Sequence, residues 1–179
     1  PTKKYELHGL IERGDKATLA TLRDAALRAA SGVWPGVKTE DVVIGIKDGD
    51  EKKHLSGFAG HWYVNPRSVN PVACYGRDRK PIAAEDIRPG NRCHLILTAV
   101  AYPKNIEAEI ARVLLKAGVK ILTETDEHGK TVYFQPAVTF YLEGVQYWER
   151  GTPFGRTRVD PGAFPEAGPE AFGEDEPPF

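Results

Sequence analysis

The sequence has no methionine and only two cysteines in 179 residues. No apolar run approaches the roughly 20 residues that cross a bilayer as a helix, and no secretory leader opens the chain. With Pro1 in first place, the missing methionine is what removal of an initiator leaves. These absences point to a soluble protein with no membrane partner. Cys74 and Cys93 lack any paired spacing and read as buried thiols in a reducing compartment. His8, His54, His61, His94 and His128 lack zinc-ligand spacing, so no metal is expected. A Walker loop, a GxSxG elbow and a dinucleotide fingerprint are all missing, which leaves no sign of a cofactor or of catalysis.

Basic residues are missing from one stretch in particular. Pro161 to Phe179 holds Glu166, Glu170, Glu174, Asp175 and Glu176, five prolines and three phenylalanines, without one lysine or arginine. Such a segment cannot build a core and is expected to stay extended and solvated. The chain therefore divides into a domain over residues 1–160 and an acidic tail over 161–179. Its formal charge of −1 comes from 24 basic and 25 acidic side chains, so without the five tail carboxylates the body carries +4. A basic body tethered to its own polyanion suggests that the tail competes with phosphates for a cationic groove. Phe172 and Phe179 among the acids suggest a docking peptide.

Periodicity predicts a mainly β domain with two helices. Asp15 caps a helix with Leu19, Leu22, Ala26 and Ala30 on one face, ended by Ser31-Gly32. Asp41 to Ile46 and Gly60 to Asn65 read as strands separated by a polar turn over Lys47 to Lys53. Asn91 to Tyr102 is an interior strand with Cys93, Leu95 and Leu97 on one side and His94, Ile96 and Thr98 on the other. A second helix is expected after Asn105 as cap, with Ile106, Ile110, Val113, Leu114 and Ala117 on its apolar face and Gly118 at its end. Lys120 to Thr125 and Lys130 to Gln135 form a hairpin. A separate final strand runs from Val138 to about Glu149, bulged near Gly144. Curved strands with glycines at bends suit an OB-like five-stranded β-barrel in an α+β chain.

Chemistry enters where aromatic and basic residues fall together. Trp62, Tyr63 and Tyr75 share a stretch with Arg67, Arg77, Arg79 and Lys80, in which Asp78 is the sole acid between Arg67 and Lys80. A second cluster combines Phe140, Tyr141, Tyr147 and Trp148 with Arg150, Arg156 and Arg158. Flat rings beside cations suit an unpaired nucleic acid strand, because every base offers a face to stack on and every nucleotide a phosphate. Strand alternation makes Phe140 and Leu142 core residues and sets Tyr141 opposite them. Two other classes compete with this reading. Asp48, Asp50 and Glu51 could hold Mg²⁺ for a nuclease, although Lys47, Lys52 and Lys53 flank them and no catalytic base stands at a recognisable spacing. The body could also be a scaffold for the tail alone.

The blocks GIKDGDEKKHLSGFAGHWYVNP, KPIAAEDIRPGNRCHLILTAV and LEGVQYWERGTPFG, between Gly45 and Gly155, resemble those of the phage single-stranded DNA-binding proteins, a family first catalogued as a domain of unknown function. The resemblance implies an OB-fold protein that coats unpaired DNA in phage replication and recombination, without sequence preference or catalysis, in the host-cell cytoplasm. It also implies a tail that recruits polymerase or helicase partners through Glu174, Asp175, Glu176 and Phe179. The chain departs from the family pattern between Tyr102 and Val138, where a helix and hairpin are inserted. That insertion could enlarge the groove, cover a rim or mediate self-association.

Overall fold

The computed structural model describes residues 5–151. The expected tail over 161–179, and with it Arg156, Arg158, Glu174, Asp175, Glu176 and Phe179, lies outside the described residues. Within them the chain is mostly strand, with two helices. Ten strands run in order: β1 (Tyr5–Glu6), β2 (Gly9–Glu12), β3 (Val43–Ile44), β4 (Ile46–Asp48), β5 (His61–Val64), β6 (Arg67–Ser68), β7 (Ala73–Tyr75), β8 (Arg92–Ile106), β9 (Leu122–Thr125) and β10 (Thr131–Glu149). Helix α1 (Lys16–Val33) lies between β2 and β3, and α2 (Ala108–Lys116) between β8 and β9.

The expected mainly β chain with two helices is what the structure has, and its strand pairing makes two sheets rather than a closed barrel. One has seven strands and the other pairs in the order β2-β5-β4. The chain passes between them at three bends. Leu7-His8 separates β1 from β2, Gly45 separates β3 from β4, and Asn65-Pro66 separates β5 from β6. Strands that bend from one sheet into another make a corner around a shared core without joining the last strand to the first.

β10 is the spine of the larger sheet. One edge pairs antiparallel with β8 from Tyr133↔Ile106 to Glu149↔Arg92. The other edge takes β9, β3, β6 and β7 in turn. The two separate segments expected to end at Gln135 and to start at Val138 are thus one strand running through Pro136. Pro136 faces Pro103 across the ladder, and on its other edge it lies between β9, paired up to Phe134, and β3, paired from Ala137. The missing N–H groups fall where the ladder has room for them.

α1 covers the inner face of this sheet. Asp15 caps it by accepting the Thr18 N–H at 3.0 Å, and Leu19, Ala26 and Ala30 are buried. These residues meet Ile11, Val42, Val64, Val138 and Phe140 in the core, with Trp62, Leu97 and Ala99 packed around them. Phe140 and Leu142 are buried as alternation predicts. The helix continues past Gly32 to Val33, and Trp34 closes it by donating its N–H to the Ala30 carbonyl.

The second helix differs from expectation in both its cap and its buried face. Asn105 and Ile106 belong to β8, paired with Phe134 and Tyr133, and the N-cap is Glu107 without a side-chain cap bond. Ladder bonds to β10 outcompete the local cap. Ala111 is the buried contact, while Ile110, Val113 and Leu115 are exposed. The segment after α2 is tied back by buried Asp41, whose carboxylate accepts the Lys120 N–H at 2.8 Å.

Candidate nucleic-acid interface

Among the described residues nothing buries the outer face of the larger sheet from Tyr75 to Tyr141, and register decides which side chains appear on it. Between Leu142↔Leu97 and Gly144↔Ile96 the register shifts, leaving Glu143 as an extra residue. A bulge of this kind reverses the face that follows. Before it, Phe140 and Leu142 point inward and Tyr141 outward. Beyond it, Val145 is buried and Gln146 shares the outer face with its partner His94. A second shift between Tyr147 and Glu149 leaves Trp148 bulged and turned outward, with Tyr147 set opposite half-buried Cys93.

The result is a row of apolar side chains on an open sheet. Ile96 is 65% exposed, Tyr141 45%, Trp148 39% and Tyr75 38%. Large apolar groups gathered on one face of a monomer mark an interaction surface. Tyr75, Arg79, Ile96, Val145 and Gln146 line a shallow open trough of about 260 Å³. The Arg77 guanidinium lies 4.6 Å from the Trp148 ring centroid, and His94 meets the same ring edge-on at 4.9 Å.

The turn from Gly76 to Lys80 holds the cations at this face. Gly76 donates its N–H to the Lys80 carbonyl at 2.8 Å, and Arg79 donates its own to the Gly76 carbonyl at 3.0 Å. From β10 the Gln146 amide donates to the carbonyls of Gly76 at 3.3 Å and Arg77 at 3.5 Å. Arg79 adopts a φ of +65°. A left-handed conformation costs an L-residue about 1–2 kcal/mol, and glycine escapes that cost. An arginine kept there points to use of its charge. Arg79→Gly is expected to leave the melting temperature unchanged or raise it, while lowering oligonucleotide affinity and reducing the salt slope by about 0.7. A marked fall in melting temperature would show instead that the side chain holds the turn.

The remaining sequence candidates divide. Lys80 is exposed and pairs with Asp78 at 3.4 Å. Arg67 pairs with Glu6 at 3.2 Å, half-exposed, in register with Tyr141. Arg150 is exposed just past β10. Trp62 belongs to the smaller sheet, packed on the core on one side and roofed by the Arg13 guanidinium 4.9 Å from its centroid. Tyr63 is only 2% exposed, so it is corrected from stacking platform to core residue. Ile96, His94 and Gln146 are not among the sequence candidates, whereas Tyr141 belongs to the second aromatic cluster and its alternation against Phe140 and Leu142 sets it outward.

The carboxylates of the polar loop are structurally engaged. Asp48 accepts the Asp50 N–H at 2.9 Å, and Asp50 accepts the Gly60 N–H at 2.8 Å. Arg13 binds both side chains. The Gly60 N–H, with Arg13 and Lys53 adding to it, holds the Asp50 carboxyl below its ordinary range. These contacts make a capped 3-10 turn of Gly49–Lys52, and no group of three or more metal-ligating side chains occurs among the described residues. Burial raises both thiols, Cys74 and Cys93, above the ordinary cysteine value, which keeps them protonated.

No protein-family model matches this sequence, and no curated protein matches it either. Its architecture does have solved counterparts. The C-terminally truncated single-stranded DNA-binding protein of bacteriophage Enc34 superposes with a TM-score of 0.54 at 15% identity, over 86% of this chain and 75% of that one. This chain has that protein's fold. The Enc34 protein without that truncation gives 0.53 at 16% identity over 89% and 76%, and its complex with single-stranded DNA gives 0.53 at 15% over 85% and 75%. The similarity extends over most of the chain rather than one short motif.

Proposed function

We propose that this chain is a non-enzymatic protein that binds single-stranded DNA without sequence preference. The observation that carries this reading is the uncovered sheet face, where Tyr75, Tyr141, Trp148 and Ile96 lie beside Arg77, Arg79 and Lys80. Rings supply stacking for any base, and cations supply phosphate contacts, so neither depends on sequence. The shared fold with a protein solved in complex with single-stranded DNA supports the same assignment. The capped, Arg13-bound state of Asp48 and Asp50 weighs against the nuclease alternative.

The resemblance of the sequence blocks to the phage single-stranded DNA-binding proteins supports a wider role. Coating of unpaired strands during phage DNA replication and recombination, in the host cytoplasm, fits a binder of this kind. The acidic segment over 161–179 would compete for the cationic face and, when displaced by DNA, offer Phe179 to a polymerase or helicase.

Titration of labelled poly-dT at two salt concentrations tests the reading. Binding should weaken with salt, leave the DNA intact in Mg²⁺ and tighten on deletion of residues 161–179. Arg77→Ala should weaken binding to every sequence and reduce the salt slope by about 0.7. No affinity for poly-dT at low salt, even for the tail-deleted protein, would sink the proposal.

A further inference from the structure

The smaller sheet carries a second gathering of cations, laid on an aromatic floor. Phe58 and Tyr63 meet edge-to-face with centroids 5.2 Å apart, and His8 stands 5.4 Å from Phe58 and 5.9 Å from Tyr63. The Lys52 ammonium lies 5.0 Å from the Tyr63 centroid and 5.8 Å from that of Phe58. Lys47 reaches the same Tyr63 ring at 6.0 Å. Both rings are buried, so they cannot take a base, but they pin the two ammoniums in place.

Among the described residues neither Lys47 nor Lys52 has a carboxylate within ion-pair distance, because the nearby Asp48 and Asp50 are held by Arg13. Burial, then Lys52, keeps His8 below its ordinary value, with Lys47 and Arg67 acting in the same direction and Glu6 against them. The two ammoniums drawn onto one pair of rings repel one another and disfavour a proton on His8, and a bound anion relieves both effects. Their side chains are already positioned, so an anion need not bear the cost of ordering them.

The position of this cluster says which anion. Arg67 acts electrostatically on His8, pairs with Glu6 across the β1–β6 ladder, and is the register neighbour of Tyr141 on the open face. It therefore stands between the two regions. We propose that His8, Lys47 and Lys52 form a phosphodiester subsite, outside the open face, that holds the backbone of the same DNA strand after it passes Tyr141 and Arg67. The inference rests on the single-stranded DNA reading above and extends the path of the strand. From Trp148 to Tyr141 the open face already runs about 20 Å, at about 3.3 Å per strand residue. Short oligonucleotides on that face do not reach His8.

The test compares oligo-dT of about four and about sixteen nucleotides, the span of sites of this class, on the full chain. Lys47→Gln with Lys52→Gln should lower affinity for the longer strand by about tenfold at low salt. Its salt slope should fall by about 1.4, at about 0.7 for each phosphate left without its cation, with the shorter strand unaffected. Phosphate binding favours protonated His8, whose value burial and then Lys52 hold below the ordinary one, so long-strand affinity should rise as pH falls below the ordinary histidine range, beyond any rise the short strand shows. His8→Gln should remove that excess, and it decides the matter if the lysine pair does not fold. Unchanged long-strand affinity and slope in the lysine variant, with the wild type binding both lengths, overturns the subsite and leaves the open-face reading standing. A wild type that binds neither length removes both.

Discussion

Gly49→Ala is expected to leave the protein largely unfolded, with loss of the cooperative thermal transition. Gly49 is buried at the start of the 3-10 turn, and a Cβ there would overlap the Phe58 and His61 carbonyl oxygens. Both are backbone atoms, and neither can rotate away. The His61 N–H donates to the Phe58 carbonyl at 3.1 Å, so a shift of either breaks the entry to β5. Overpacking at yielding sites costs about 1–3 kcal/mol, and this site does not yield. Against a total stability of about 5–15 kcal/mol, a backbone clash beneath a central strand is a large fraction. A normal melting curve for Gly49→Ala would show that the turn re-forms elsewhere.

The largest effect on binding is expected from Tyr75→Ala combined with Tyr141→Ala. Stacking contributes about 1–3 kcal/mol per base, so each substitution should weaken poly-dT binding by roughly 5- to 150-fold. Tyr75 is in register with Gln146 and Tyr141 with Arg67, on opposite sides of the bulge at Glu143. Rings that far apart share no partner, so their losses should add to within about 0.5 kcal/mol. Neither ring carries charge, and the salt slope should stay as in the wild type. Fluorescence anisotropy across a salt series checks both points. Full affinity in the double variant would move the binding surface elsewhere.

Local signals in the sequence are reliable where the chain's own neighbours decide the outcome. Asp15 caps α1, Cys93, Leu95 and Leu97 alternate against His94, Ile96 and Thr98, and the hairpin closes through the Asp126 N–H and the Lys130 carbonyl. The bulge beside Gly144 is legible as a glycine in a strand. Features set by partners distant in sequence are not legible in this way. Asn105 looks like a cap until Phe134 pairs with it, and Pro136 looks like a break until Pro103 lies opposite. Trp62 and Tyr63 suggest an exposed platform, yet Arg13 roofs one and Phe58 with His8 encloses the other. Cationic and aromatic composition locates the open face at Tyr75, Arg77, Arg79 and Trp148, and the pairing of β8 with β10 completes it with Ile96 and Tyr141.

Within the larger sheet, and among the described residues, the β1–β6 ladder is the one pairing that does not use β10. β10 is also the last described strand in chain order, so synthesis delivers all five of its described partners before the strand that unites them. Until residues 131–149 emerge, the fifteen-residue β8 has no ladder partner and presents bare edges. The nascent chain is thus most exposed to mispairing just before β10 appears, and late closure of long-range contacts sets the pace of its maturation.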